Sequence, residues 1–412
     1  MTATAFRPAS ITLASALCVL ALSAGGCQNK PASFKLDNGL RVDLLPVAHG
    51  TKAAVVVLFD VGGDHDPAGR SGMAHVVEHL LSASTRPGRT LATTVATRSG
   101  DDYTMYASEM LAGRIIEELD DVAGRLWGPP AAEGDVDRAR KQVVDEIGKT
   151  HGADAAATAM ARAAEALRPS PRGGTRGGVA AEVEAMTAAE IDAFRRASFA
   201  AGTARLIVTG RFKVADAEKH IRASFGALPA GKAPDARPPV GARVTGTLVV
   251  GDAPTAMALA VAAPDMKAPL YPAFLVLAAR LAGDAGGARP WKADFAPLAR
   301  PDVLFVTGPV PPGQRPEAAA QHMRAAVTAI VAAPLAPDEP ARALARFGEE
   351  LGITPAAAPR DTAFSVGRLL QLGVDAKALE RAVGAVTQDQ LAGAARLFDA
   401  NSSTAVIAGG KI

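Results

Sequence analysis

The sequence predicts an α+β protein built twice from one unit. Three observations carry this. The chain has 412 residues, which suits two domains of about 200 residues rather than one small module. Strand-like and helix-like segments are interleaved through its first half. After a stretch rich in Pro and Gly, from Phe225 to Gly246, the pattern restarts. Its segment Val386-Thr-Gln-Asp-Gln-Leu, with Arg396 and Val406-Ile-Ala-Gly-Gly410, matches Met186-Thr-Ala-Ala-Glu-Ile, with Arg196 and Leu206-Ile-Val-Thr-Gly210. The offset is about 200 residues, as expected of a diverged tandem duplication.

The elements follow in order. Phe34 to Leu45 alternates apolar and polar residues on both sides of Asn38-Gly39, a pair that tolerates the positive φ angles of a tight turn, so this is a β-hairpin. Ala53 to Val61 is nearly all apolar and rich in Val, hence a buried strand ended by Gly62-Gly63. Helical spacing covers about Ser71 to Leu81, then Ile115 to Trp127 and Val136 to Lys149. Arg168 to Gly178 is a loop rich in Pro, Gly and Arg. A helix from about Ala188 to Phe199 leads into a strand from Ala204 to Thr209. In the restart, Thr247 to Val250 and Ala256 to Ala262 are strands and Tyr271 to Ala282 is a helix.

The N-terminus predicts export. Arg7 is the only charged side chain before Lys30, and an apolar stretch from Ile11 to Leu22 lies between them. Its length suits a signal peptide better than a membrane span. Ser23-Ala-Gly-Gly-Cys27 resembles a bacterial lipobox, with Cys27 as the lipidated first residue; the alternative is ordinary cleavage nearby. The expected organisation is a signal peptide (1–26), a first domain (27–230), a linker (231–245) and a second domain (246–412). The body would lie in the periplasm, anchored by lipid to a membrane, with Gln28 favouring the outer one. Two cysteines supply neither a disulfide framework nor a thiolate zinc site. A net charge of +2 and 4% aromatics exclude a charge-driven or base-stacking nucleic-acid binder.

The chemistry concentrates in His75-Val-Val-Glu-His79. At about 100° per residue, His75, Glu78 and His79 share one helical face. Met73, Val76, Val77, Leu80 and Leu81 form the opposite, apolar stripe. Two imidazoles one turn apart can reach one zinc ion, and the carboxylate between them can hold a water beside it. The competing reading is a solvated polar face with coincidental spacing. A hydrolytic zinc site takes three protein ligands and keeps one position open. In the later helix Val136, Ala139, Val143 and Ile147 set the buried stripe. Glu146 lies at its edge and Asp145 points away, so periodicity prefers Glu146 as the inward acid, unless it is an ordinary boundary glutamate. His65, in the loop just ahead, is a surface residue or a supporting one.

At these residues the sequence resembles the M16 zinc metallopeptidases, the inverzincins, which include pitrilysin, insulin-degrading enzyme and the mitochondrial processing peptidases. The resemblance runs through Leu36-Asp-Asn-Gly-Leu-Arg-Val, Phe59-Asp-Val-Gly, Gly69 to Leu81, Asp102-Tyr-Thr-Met-Tyr106 and Val143-Val-Asp-Glu-Ile147. It continues, more loosely, to Thr187–Phe194 and Phe225-Gly-Ala-Leu-Pro229. It implies two homologous α/β-sandwich domains (the M16 peptidase, LuxS-like fold) facing each other across a chamber. It implies one zinc ion per chain held by His75, His79 and Glu146, with Glu78 as general base. The substrate would be an extended peptide added to a sheet edge.

Four departures accompany the resemblance. The interval from His79 to Glu146 is shortened. Ala96-Thr-Arg-Ser99 replaces the family's Asn-Ala pair on the substrate edge. Ala139 replaces a glutamate common two turns before the third ligand. The family's oxyanion-steadying Arg and Tyr in the second domain have no clear match, because the only tyrosines are Tyr103, Tyr106 and Tyr271; Arg289 and Arg300 are the candidate substitutes. Some bacterial relatives divide the work between two chains, and this sequence resembles the metal-bearing one, with a related subunit supplying the Arg/Tyr pair. The alternative expectation is a peptide-binding or assembly subunit with little turnover.

Overall fold

The hairpin comes first, as β1 (Ala32–Lys35) and β2 (Arg41–Pro46). They join through a turn in which Gly39 takes φ +91°. The computed structural model describes residues 29–83, 94–152, 154–169, 177–231, 243–251, 254–283, 289–299, 302–356, 358–399 and 401–409. The expected signal peptide, Cys27, Arg300 and all but the ends of the linker lie outside these residues.

The first half continues with β3 (Lys52–Phe59), α1 (Met73–Ala83), β4 (Thr94–Ser99) and β5 (Thr104–Leu111). Then come α2 (Ile115–Leu126), α3 (Glu133–Gly152), α4 (Ala155–Leu167), α5 (Ala180–Glu184), α6 (Ala188–Ser198), β6 (Ala204–Gly210) and α7 (Val214–Phe225). The second half holds β7 (Gly246–Val250), β8 (Pro254–Ala262), α8 (Tyr271–Ala282), β9 (Lys292–Asp294), β10 (Val303–Pro309), α9 (Pro316–Val331) and α10 (Glu339–Phe347). It closes with α11 (Pro359–Leu372), α12 (Ala376–Gly384), α13 (Gln388–Ala395) and β11 (Ser403–Gly409).

The two sheets repeat one topology. The first is ordered β1-β2-β6-β3-β5-β4, with only β2 and β6 parallel. The second is ordered β7-β11-β8-β10-β9, with only β7 and β11 parallel. The shared order and directions support the duplication read from the sequence. So do the capping boxes. Thr187 with Glu190 opens α6, Thr387 with Gln390 opens α13, and each helix leads through a 3₁₀ turn into the strand beside the sheet centre.

The central strands of each sheet are buried on both faces, which is why β3 is a continuous apolar run with no alternation. One face packs on the half's own helices. Val55, Val57 and Phe59 meet Val76 and Val77 of α1 and Val143 of α3 in one core. The other face is covered by a helix of the opposite half. From α11, Ala363, Phe364 and Val366 lie on Val56, Leu58 and Ile207 of the first sheet. From α4, Ala159, Ala163 and Leu167 lie on Ala258, Ala260 and Val406 of the second.

A polar latch accompanies this exchange. Arg368 of α11 is 1% exposed and its Nη2 lies 2.5 Å from Asp102 Oδ1. Its Nη1 donates to Gln371 (2.6 Å), and the guanidinium sits 4.4 Å from the centre of the Tyr103 ring. Gln371 in turn donates to Asp60 and to the Phe59 carbonyl. Among the described residues no helix is long and apolar enough to cross a membrane.

Candidate metal centre

Helix α1 starts where the loop before it supplies an acceptor. Both oxygens of buried Asp66 take backbone N–H groups of the first turn, from Gly72 (2.7 Å) and Ala74 (2.8 Å). These donors have no partner within the helix, so the carboxylate replaces one. Burial pushes the Asp66 carboxyl up to about 7, against the opposite pull of those same N–H groups. The apolar stripe of α1 is buried, Met73, Val76, Val77, Leu80 and Leu81 all lying in the core. Its other face carries His75, Glu78 and His79.

Helix α3 packs across α1 with Val136, Ala139 and Val143 inward. One turn past Val143, Glu146 reaches the imidazoles. Asp145 turns outward to Lys141 at 2.9 Å, as the periodicity predicts. Glu146 Oε2 lies 3.2 Å from His75 Nε2, Glu146 Oε1 lies 3.5 Å from His79 Nε2, and the two Nε2 atoms are 3.3 Å apart. Two ligands each about 2.0–2.2 Å from a zinc ion at the tetrahedral angle stand about 3.3–3.6 Å apart. The three side chains form a triangle of contacts of that size, closed through both oxygens of Glu146, so the donor set fits zinc.

Glu78 is buried beside this triangle, its Oε2 3.9 Å from His75 Nε2. His75, Glu78 and His79 also offer donor atoms within 4.8 Å of one another. The side chains of His75, His79 and Glu78 are 18%, 14% and 10% exposed, whereas that of Glu146 is 49% exposed. The site is therefore walled by the core on the α1 side and opens to solvent on the α3 side.

Two supporting groups lay beyond sequence reasoning. The first is Asp66. The second is the Gly177 carbonyl, 2.9 Å from His75 Nδ1. A carbonyl only accepts, so Nδ1 carries a proton, which leaves Nε2 as the ring nitrogen available to a metal. The Gly-Gly pair at 177–178 was visible in the sequence only as loop composition. His65 ties its own loop, its Nδ1 taking the Gly62 N–H at 3.2 Å.

The substrate-edge expectation falls on β4. Among the described residues this strand pairs only with β5, at the end of the sheet, and α1 packs against it. Arg98 of β4 lies 5.7 Å from the Phe364 ring of α11, so this edge also touches the opposite half. Tyr103, Tyr106 and Tyr271 are each at most 1% exposed, and burial raises the first two above the ordinary phenol range. None stands on the surface of the site. Arg289 donates to the Leu281 carbonyl (3.1 Å) and stacks on Trp291 at 4.9 Å, which ties it to the end of α8.

No protein-family model and no curated protein matches the sequence. Solved structures do match the fold. A protease from Helicobacter pylori superposes with a TM-score of 0.79 at 18% identity, covering 92% of this chain and 99% of that one. A domain from Pseudomonas fluorescens described as an inactive peptidase M16 domain gives 0.76 at 16% identity, covering 93% and 98%. The periplasmic protease PqqL from Escherichia coli gives 0.67 at 17% identity, covering 93% of this chain and 48% of that one. The chain thus has the two-domain fold of M16-like peptidases, a fold present in proteases and in a domain described as inactive.

Proposed function

We propose that this chain is a zinc-dependent metalloendopeptidase acting on extended or unfolded peptides, with one zinc ion held by His75, His79 and Glu146. The observation that carries the reading is the donor triangle of 3.2, 3.3 and 3.5 Å with a buried carboxylate beside it. A zinc ion supplies a Lewis acid that acidifies water and polarises a carbonyl. Glu78 would take the proton of the attacking water and return it to the leaving amine. The outer edge of β4 would hold the peptide by main-chain bonds and set its scissile carbonyl beside the site. Export and anchoring through Cys27 belong to the same proposal, supported by the apolar N-terminal stretch.

The buried tyrosines favour a second arrangement, in which this chain contributes the metal and a related subunit contributes the oxyanion donors. Losing one such donor costs about 10²- to 10³-fold in rate. In its limit this is the alternative of a peptide-binding subunit with little turnover, for which the inactive neighbour is a precedent of fold.

The test combines metal analysis with hydrolysis of a quenched peptide, with and without a co-expressed related chain. Glu78→Gln is expected to retain stoichiometric zinc and lose hydrolysis. Activity surviving that change would overturn the mechanism. Zinc without turnover in every pairing would select the binding subunit.

A further inference from the structure

We infer that the Gly177–Gly178 backbone is a positioning element of the metal centre, holding His75 in its ligating tautomer, and that Gly72 and Gly178 are the residues that admit it. The inference rests on reading His75 as a metal ligand.

The contact is made by backbone. Gly72 has φ +97°, and a Cβ there would stand 2.8 Å from Val183 Cγ2 and 3.1 Å from Gly178 Cα. Gly178 has φ +122°, and a Cβ there would stand 2.9 Å from Gly72 Cα and 3.1 Å from Ser71 O. Both positions therefore need glycine twice over, for conformation and for space. Their approach brings the Gly177 carbonyl over the first turn of α1, 2.9 Å from His75 Nδ1.

Other bonds stitch the same seam. Ser71 N–H donates to Glu182 Oε2 (2.7 Å), Val179 N–H to Ser71 O (3.4 Å), and Arg70 pairs with Glu190 (2.7 Å). The carbonyl is thus delivered by a segment more than 100 residues away and held there independently of any ion. Such a partner fixes both the imidazole proton and the ring orientation. Its loss from a metal-ligating histidine typically weakens metal binding about 10- to 100-fold.

The test uses the full chain with Gly178→Ala, and Glu182→Ala as the gentler variant should the first fail to fold. Two quantities are read. One is zinc affinity by competition with a chromophoric chelator. The other is the ¹⁵N spectrum of the metal-free protein, which reports which nitrogen of His75 is protonated. Zinc affinity is expected to fall about 10- to 100-fold, with His75 passing from protonated Nδ1 to a mixture of tautomers. A folded variant that keeps wild-type zinc affinity, or that binds weakly with the Nδ1–H state intact, overturns the inference. Wild-type protein that holds Nδ1–H but binds no zinc would sink the metal reading and leave the hydrogen-bond assignment standing.

Discussion

Replacing Arg368 by Ala tests whether the exchanged helix α11 is locked to the first sheet by charge as well as by apolar contact. The guanidinium is 1% exposed and loses three partners at once, namely Asp102 at 2.5 Å, Gln371 at 2.6 Å and the Tyr103 ring at 4.4 Å. Deleting one member of a buried ion pair costs about 3–5 kcal/mol when the other charge is stranded, and Asp102 keeps a further interaction of its own. The Asp102 side chain is 17% exposed, so water recovers part of that loss and the lower end, about 3 kcal/mol, is expected. With an unfolding entropy of about 2 cal/mol/K per residue, a chain of this length should melt roughly 4 °C lower. The assay is urea unfolding of both single variants and the double variant with Asp102→Ala. A coupling energy of at least about 1 kcal/mol is expected. Both halves should still unfold in one transition, because α4 and α11 each complete the other half's core. Coupling under about 0.5 kcal/mol, or two separated transitions in the wild type, would refute the latch.

Two further predictions concern the start of α1 and the duplicated caps. Folding raises the Asp66 carboxyl from 3.8 to about 7, so between these values the folded state binds the proton and the unfolded state does not. Stability of the metal-free protein should therefore fall as pH rises from about 4 to 7, by up to about 1.4 kcal/mol per pH unit from this group. Asp66→Asn should flatten that slope in urea melts across this range; an unchanged slope would mean that burial does not govern the group. Thr187→Ala and Thr387→Ala should each cost about 1 kcal/mol in the same measurement, since each hydroxyl accepts the N–H at the third position of its helix. A loss at one site without the other would contradict their equivalence.

Much of the candidate site was legible because its first three residues need only a helix. His75, Glu78 and His79 share a face through spacing alone, and the apolar residues between them dictate which way that face turns. Glu146 was legible in part. Its place one position off a buried stripe separated it from Asp145, but it stands 67 positions after His79, and periodicity says nothing about distance. The strands β4 and β5 escaped notice. In β5, Tyr106, Ser108 and Met110 face one way and are as buried as Met105 and Ala107, so no alternation marks it.

The sequence by itself determined the local objects: the hairpin at Gly39, the buried strand β3 and the His-Glu-His face of α1. Each depends on neighbours within a few residues, where backbone geometry sets which side chains meet. Tertiary structure alone decided that α4 and α11 would cross to the opposite sheets, that Arg368 would meet Asp102, and that a glycine carbonyl would settle the proton on His75. Those contacts join segments more than 80 residues apart, and they arise because each sheet has a second apolar face that its own half leaves uncovered.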